Sequence, residues 1–148
     1  MSTKSAILKT FFSLAVAGVL AGSLSVSARA DDDRLDEAWK DGIGDQEPVL
    51  TDQQFAKLNN LAFQAAVTKI CDGYNLDDKK FADGMSDATT PTNASMSADD
   101  QKQWETAVLI RFGTAYGLLL AEGNAKPDDF CASAGELKKD TEVPNYWQ

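Results

Sequence analysis

The sequence predicts an all-α domain, a small bundle of about four helices stapled by one disulfide. Three observations carry this. Apolar residues recur at three- and four-residue steps in the main segments. No segment sustains the two-residue alternation of a half-buried strand. The only two cysteines, Cys71 and Cys131, each fall beside an expected helix end. There is no internal repeat.

The first thirty residues stand apart from that bundle. Lys4 and Lys9 make a short basic region, "FFSLAVAGVLAGSLSV" follows as an uncharged apolar run, and "SARADDD" closes it with small residues at Ala28 and Ala30. That order is the pattern of a secretory signal peptide (1–30), with cleavage expected after Ala30. The run is shorter than the ~20 residues a membrane helix needs, and no cysteine lies at the junction for lipid attachment. The mature chain is then 118 residues, the size of one domain. Lys4, Lys9 and Arg29 leave with the signal, so 11 basic side chains face all 23 acidic ones, a net charge of −12. Such a surface repels nucleic acid and anionic membranes at long range. Neither is expected as a partner, and no membrane span is expected after cleavage. The expected partner is a protein of unknown identity; the charge leaves the oligomeric state open. The expected location is periplasmic or secreted.

In an exported protein two thiols of one small domain usually pair. A zinc site needs about four ligands, and the chain has no histidine and no C-x-x-C pair. A redox-active pair normally sits close in sequence with a depressed thiol pKa, which neither cysteine's setting provides. A Cys71–Cys131 bridge is therefore expected as a structural staple. Closing a loop of that length destabilises the unfolded chain by about 4 kcal/mol in the chain-entropy model.

Along the mature chain, residues 31–47 read as an acidic flexible arm in which Leu35 and Trp39 allow one short helical turn. Residues 48–140 form the helical domain. Thr51 precedes Gln54 at capping-box spacing, and Leu50 with Phe55 occupies the positions of a hydrophobic staple. Phe55, Leu58, Ala62, Ala65, Ala66 and Ile70 then make an amphipathic stripe, widened by Leu61, Phe63 and Val67 and ended by Gly73. A shorter helix is expected from Leu76 to about Asp87, with Leu76, Phe81 and Met85 facing inward. "ATTPTNAS" reads as a loop; its Asn93 sequon is too short a motif to weigh.

Ser97, with Asp100 three residues on, starts the longest helix. Trp104, Val108, Phe112, Ala115 and Leu119 define its face, with Leu109, Tyr116 and Leu120 beside them, so near-complete burial is expected. Gly113 and Gly117 share a face and are expected to admit a neighbouring helix, and Gly123 to end the helix. Arg111, between Ile110 and Phe112, is expected to snorkel to the edge or pair with a carboxylate. Pro127 opens the last helix, with Asp128 and Asp129 in its first turn and Phe130, Ala134 and Leu137 as its stripe. Residues 141–148 read as a tail whose Tyr146 and Trp147 either fold back or stay free.

The chemical inventory is mostly negative. Lack of histidine removes the imidazole base, the Ser-His-Asp triad and imidazole-ligated haem or zinc. "DGYNLDDKKFADG" fails as a calcium loop: counted from Asp72 the third position is Tyr74, and counted from Asn75 the fifth is Lys79. The pairs Asp99/Asp100 and Asp128/Asp129 could act as acid and base, yet each occupies a helix first turn, where the macrodipole already favours it. No catalytic residue, no metal site and no cofactor is expected, and the chain reads as a non-enzyme.

The "SARADDD" junction, "KICDGY" and "DDFCASAGELKKD" together resemble the HdeA-type periplasmic acid chaperones: an export signal, a small helical domain and one disulfide from the only two cysteines. The resemblance is one of architecture and carries no residue role. It implies an acid-activated chaperone as the alternative to a non-catalytic periplasmic protein acting through protein–protein interaction, in an accessory, inhibitor or immunity-type role.

Overall fold

The computed structural model of the chain describes residues 34–44, 50–91 and 95–148. The expected signal peptide, the end of the arm and Asn93 lie outside them. Four helices form the body: α1 (Asp52–Ile70), α2 (Asp78–Ala88), α3 (Ala98–Ala125) and α4 (Pro127–Leu137). A helical segment over 34–39 runs into a π-helical turn, Lys40–Gly44, ahead of them. The all-α bundle with one disulfide is what the chain forms. An isolated antiparallel bridge, Leu76 to Trp147, is the one strand-like pairing among the described residues.

Local chemistry sets the helix starts. Thr51 Oγ1 accepts the Gln54 amide at 3.3 Å while Gln54 Oε1 accepts the Thr51 amide at 3.1 Å, a complete capping box. The same Gln54 donates Nε2 to the Thr90 carbonyl at 3.0 Å, tying the start of α1 to the end of α2. Asp77 caps α2 through the Lys80 amide, Ser97 caps α3 through the Asp100 amide, and Pro127 occupies the first turn of α4. Beyond α1, Gly73 sits at φ 82, a left-handed turn that a side chain would strain.

α1 and α3 make the main helix pair, with α2 on α1 and α4 against both. Two lobes of core result. Ala62, Ala66, Val67, Ala115, Leu119, Phe130, Ala134 and Trp147 fill one; Leu50, Leu58, Leu61, Ala88, Val108 and Tyr146 fill the other. Phe112 touches both. Among the residues expected on the two inner stripes, Leu58, Val108 and Leu119 are buried, while Phe55, Trp104 and Phe112 are half-buried at the rims of the lobes.

Of the two alternatives for the tail the protein adopts the folded-back one, with Trp147 1 % exposed and Tyr146 8 %. Several other expectations are corrected here. The described part of the arm is helical and lies against α3, with Trp39 and Ile43 on the first lobe. Gly123 does not end α3, which continues to Ala125; it is buried where a Cβ would come within 3.0 Å of Ile70 and Phe130, so it permits close packing of α1 and α4. Gly113 and Gly117 receive no neighbouring helix. Both are exposed, and a Cβ on either meets nothing within 4 Å. Nor is Leu109 part of the buried face, being 58 % exposed. α3 is apolar nearly all round, and the bundle covers only one side of it.

Candidate functional site

The expected bridge is formed. Cys71 follows the last residue of α1, Cys131 starts the second turn of α4, and their Cα atoms are 5.7 Å apart across a sequence separation of 60. The loop it closes contains α2 and α3, so the bridge fastens the end of the first body helix to the start of the last.

A second fastening was not foreseen. Gln64, midway along α1, has no solvent exposure. Its Oε1 accepts the Tyr146 amide at 2.7 Å, and its Nε2 donates to the Pro144 carbonyl at 2.8 Å and to Asn60 Oδ1 at 2.9 Å. The Trp147 indole nitrogen donates to the Gln64 carbonyl at 3.0 Å. Asn60 adds a bond from Nδ2 to the Pro144 carbonyl at 3.0 Å. Across the tail, the Asp77 amide donates to the Tyr146 carbonyl at 2.8 Å and the Gln148 amide to the Asn75 carbonyl at 3.0 Å. A buried amide is tolerated only when its donors and acceptor are engaged, and here they are engaged by the tail. The signal in the sequence was a lone Gln inside "NLAFQAAV", a polar residue set in an otherwise apolar stripe.

Arg111, singled out in the sequence, is buried rather than reaching the edge, and its Nη1 donates to the Ile43 carbonyl at 3.0 Å. It thus supports the N-terminal segment. The paired carboxylates Asp99/Asp100 and Asp128/Asp129 are exposed in the first turns of α3 and α4. Asp100 accepts the Ser97 hydroxyl at 2.7 Å, as a capping residue does. Among the described residues no group of three or more Cys, Asp or Glu could hold a metal ion.

The Lys80 amide, donating to the Asp77 carboxylate, holds it below the ordinary carboxylate value. A hydrogen bond to Asp83 raises Lys79. Burial raises the Tyr146 phenol, and the charge of Asp87 adds to it. Each shift belongs to a cap, a helix-face ion pair or a packed ring.

What distinguishes the surface is the outer side of α3. Leu109 and Ile110 are 58 % and 64 % exposed, the large hydrophobic side chains most open to solvent among the described residues. Gly113 and Gly117 continue the same face. Beside Ile110 a shallow depression of about 370 Å³ is lined by Lys102, Gln103, Thr106 and Ala107. A second depression of similar size, between the N-terminal segment and the end of α3, is lined by Leu35, Asp36, Trp39, Glu122 and Lys126. The first is apolar; the second is charged and holds both signs.

Compared with family models, curated proteins and solved structures, the chain matches none. No described helix is long and apolar enough to cross a membrane.

Proposed function

We propose that this is a small exported protein that acts without catalysis, by binding another protein, in an accessory, inhibitory or immunity-type role. The observation behind it is the bare apolar side of α3, with Leu109 and Ile110 held out on a rigid helix of a disulfide-fastened bundle. Rigid presentation lowers the entropy lost on association, and an exposed apolar patch on a strongly acidic chain favours contact over mere solubility. The bridge and the N-terminal signal pattern support export to an oxidising compartment.

The acid-activated chaperone has less behind it. An acid trigger needs carboxylates that hold the neutral fold together. Among the described residues the ion pairs Lys57–Asp87, Lys79–Asp83 and Lys80–Asp77 are exposed or half-exposed, so protonating these three carboxylates removes little stability.

Affinity capture from an extract of the exporting compartment tests the proposal. At neutral pH the wild-type protein is expected to retain a stoichiometric protein that Leu109→Asp releases. Retention of no protein, or equal retention by the variant, would refute the reading. Onset of apolar-dye binding only in acid would favour the chaperone instead.

A further inference from the structure

From the outer face of α3 we infer that its occupant is a second copy of this chain, docked antiparallel through α3. The inference rests on the proposed binding role of that face and puts a second copy there in place of a different protein.

Three features of the face point to self-pairing. The first is its glycines. Gly113 and Gly117 lie mid-helix, where glycine weakens the helix relative to alanine. No contact among the described residues requires them, since a Cβ at either position meets open space. They leave a smooth hollow where another helix backbone can approach closer than the usual ~8–10 Å.

The second is symmetry. A two-fold interface must be complementary to itself, each protrusion meeting a hollow on the same patch. Leu109 and Gly117 lie four residues either side of Gly113, about 6 Å each way along the helix axis. An antiparallel pair with its two-fold axis at Gly113 sets Leu109 of each copy over Gly117 of the other. Ile110 closes the same seam from beside it. A parallel pair would set glycine on glycine and Leu109 on Leu109, so that protrusion meets protrusion and hollow meets hollow.

The third is charge. A chain with a net charge of −9 repels its own copy over most of its surface. Thr106 to Ala121 is the exception: it contains no acidic residue, and its one charged side chain, Arg111, is buried on the inner side. In the antiparallel pair Lys102 lies over the last turn of the other α3, the negative end of the helix dipole, which carries Glu122 and no basic side chain. Two copies can meet here without facing like charges.

One helix face on each side gives an interface at the low end of the size range, below ~1,200 Å² in total. The pair is accordingly reversible, forming between micromolar and millimolar protein.

Sedimentation equilibrium of the exported protein, bridge intact, reads this directly. The wild type is expected to pass from monomer to dimer with concentration. Leu109→Asp and Ile110→Asp, at positions exposed in the monomer, should each weaken dimerisation by about tenfold or more with unchanged circular dichroism. Gly117→Leu, which fills the hollow, should do the same. Gly113→Cys on the two-fold axis should give a disulfide-linked dimer under mild oxidation, whereas Ser133→Cys on exposed α4 should not. A wild type that stays monomeric at millimolar concentration overturns the inference, as does a dimer indifferent to all three face substitutions. A monomer that still holds a different protein through Leu109 overturns self-pairing while the binding reading stands.

Discussion

The two sides of α3 are made of the same kind of residue and have opposite fates. Inward, Val108, Ala115 and Leu119 are closed over by α1, α4 and the tail; outward, Leu109, Ile110, Gly113 and Gly117 face solvent. Hydrophobicity alone does not decide burial. A helix that is apolar nearly all round, in a bundle with material for one side only, leaves the other side as a surface.

The largest test of this contrast applies one substitution to both sides. Leu119→Ala removes a buried side chain and is expected to cost about 2–5 kcal/mol, through lost transfer energy and the cavity left behind. Leu109→Ala removes an exposed one and should fall within about 0.5 kcal/mol of zero. Urea denaturation of the two variants decides it, and equal losses would erase the distinction between the faces.

Glycines sharpen the contrast with a difference of sign. At Gly84 an added Cβ would lie 2.5 Å from the Tyr146 ring, so Gly84→Ala has to displace a packed aromatic and should destabilise by about 1–3 kcal/mol. At Gly117 the added methyl meets nothing, and alanine's better helix propensity should stabilise the monomer by about 0.5–1 kcal/mol. Thermal melts at concentrations low enough to keep the protein monomeric should move in opposite directions.

The smallest expected effect concerns the inner side alone. Burial, followed by the nearby Asp87 charge, raises the Tyr146 phenol above its ordinary pKa of 10.0. The folded state therefore holds that proton longer than the unfolded chain. Its stabilising contribution is complete below 10.0 and is lost as pH rises through the raised folded value. Tyr146→Phe should flatten that alkaline decline in denaturation midpoint; an unchanged decline would place its origin elsewhere.

The parts of the fold legible in the sequence were those governed by neighbours in the chain. Thr51 with Gln54, Ser97 with Asp100, and Pro127 mark helix starts because caps act over three residues, and the structure places the starts there. The bridge followed from cysteine number and setting. What escaped depends on residues far apart. Gly123 reads locally as a terminator, yet its role is set by Ile70 and Phe130. Gln64 shows its purpose only with Tyr146 and Trp147 in place. For the same reason the outer face was misread: periodicity finds an apolar stripe but does not reveal how much of it the rest of the bundle can cover.

The fastening of the tail to α1 has a consequence for the order of folding. Gln64 reaches Tyr146 and Trp147 across sequence separations of 82 and 83, in a protein where helix ladders and caps are otherwise local. The closed Cys71–Cys131 bridge shortens the path, whereas with the bridge open closing so long a span loses chain entropy before it returns any contact. The helices can consequently form and pair while the strip of α1 around Gln64 is still wet, and the tail seals it last. In rapid-mixing refolding, burial of the Trp147 indole should lag behind the helical signal. Until it arrives, the open strip on α1 is a short-lived hazard for aggregation that the finished molecule no longer displays.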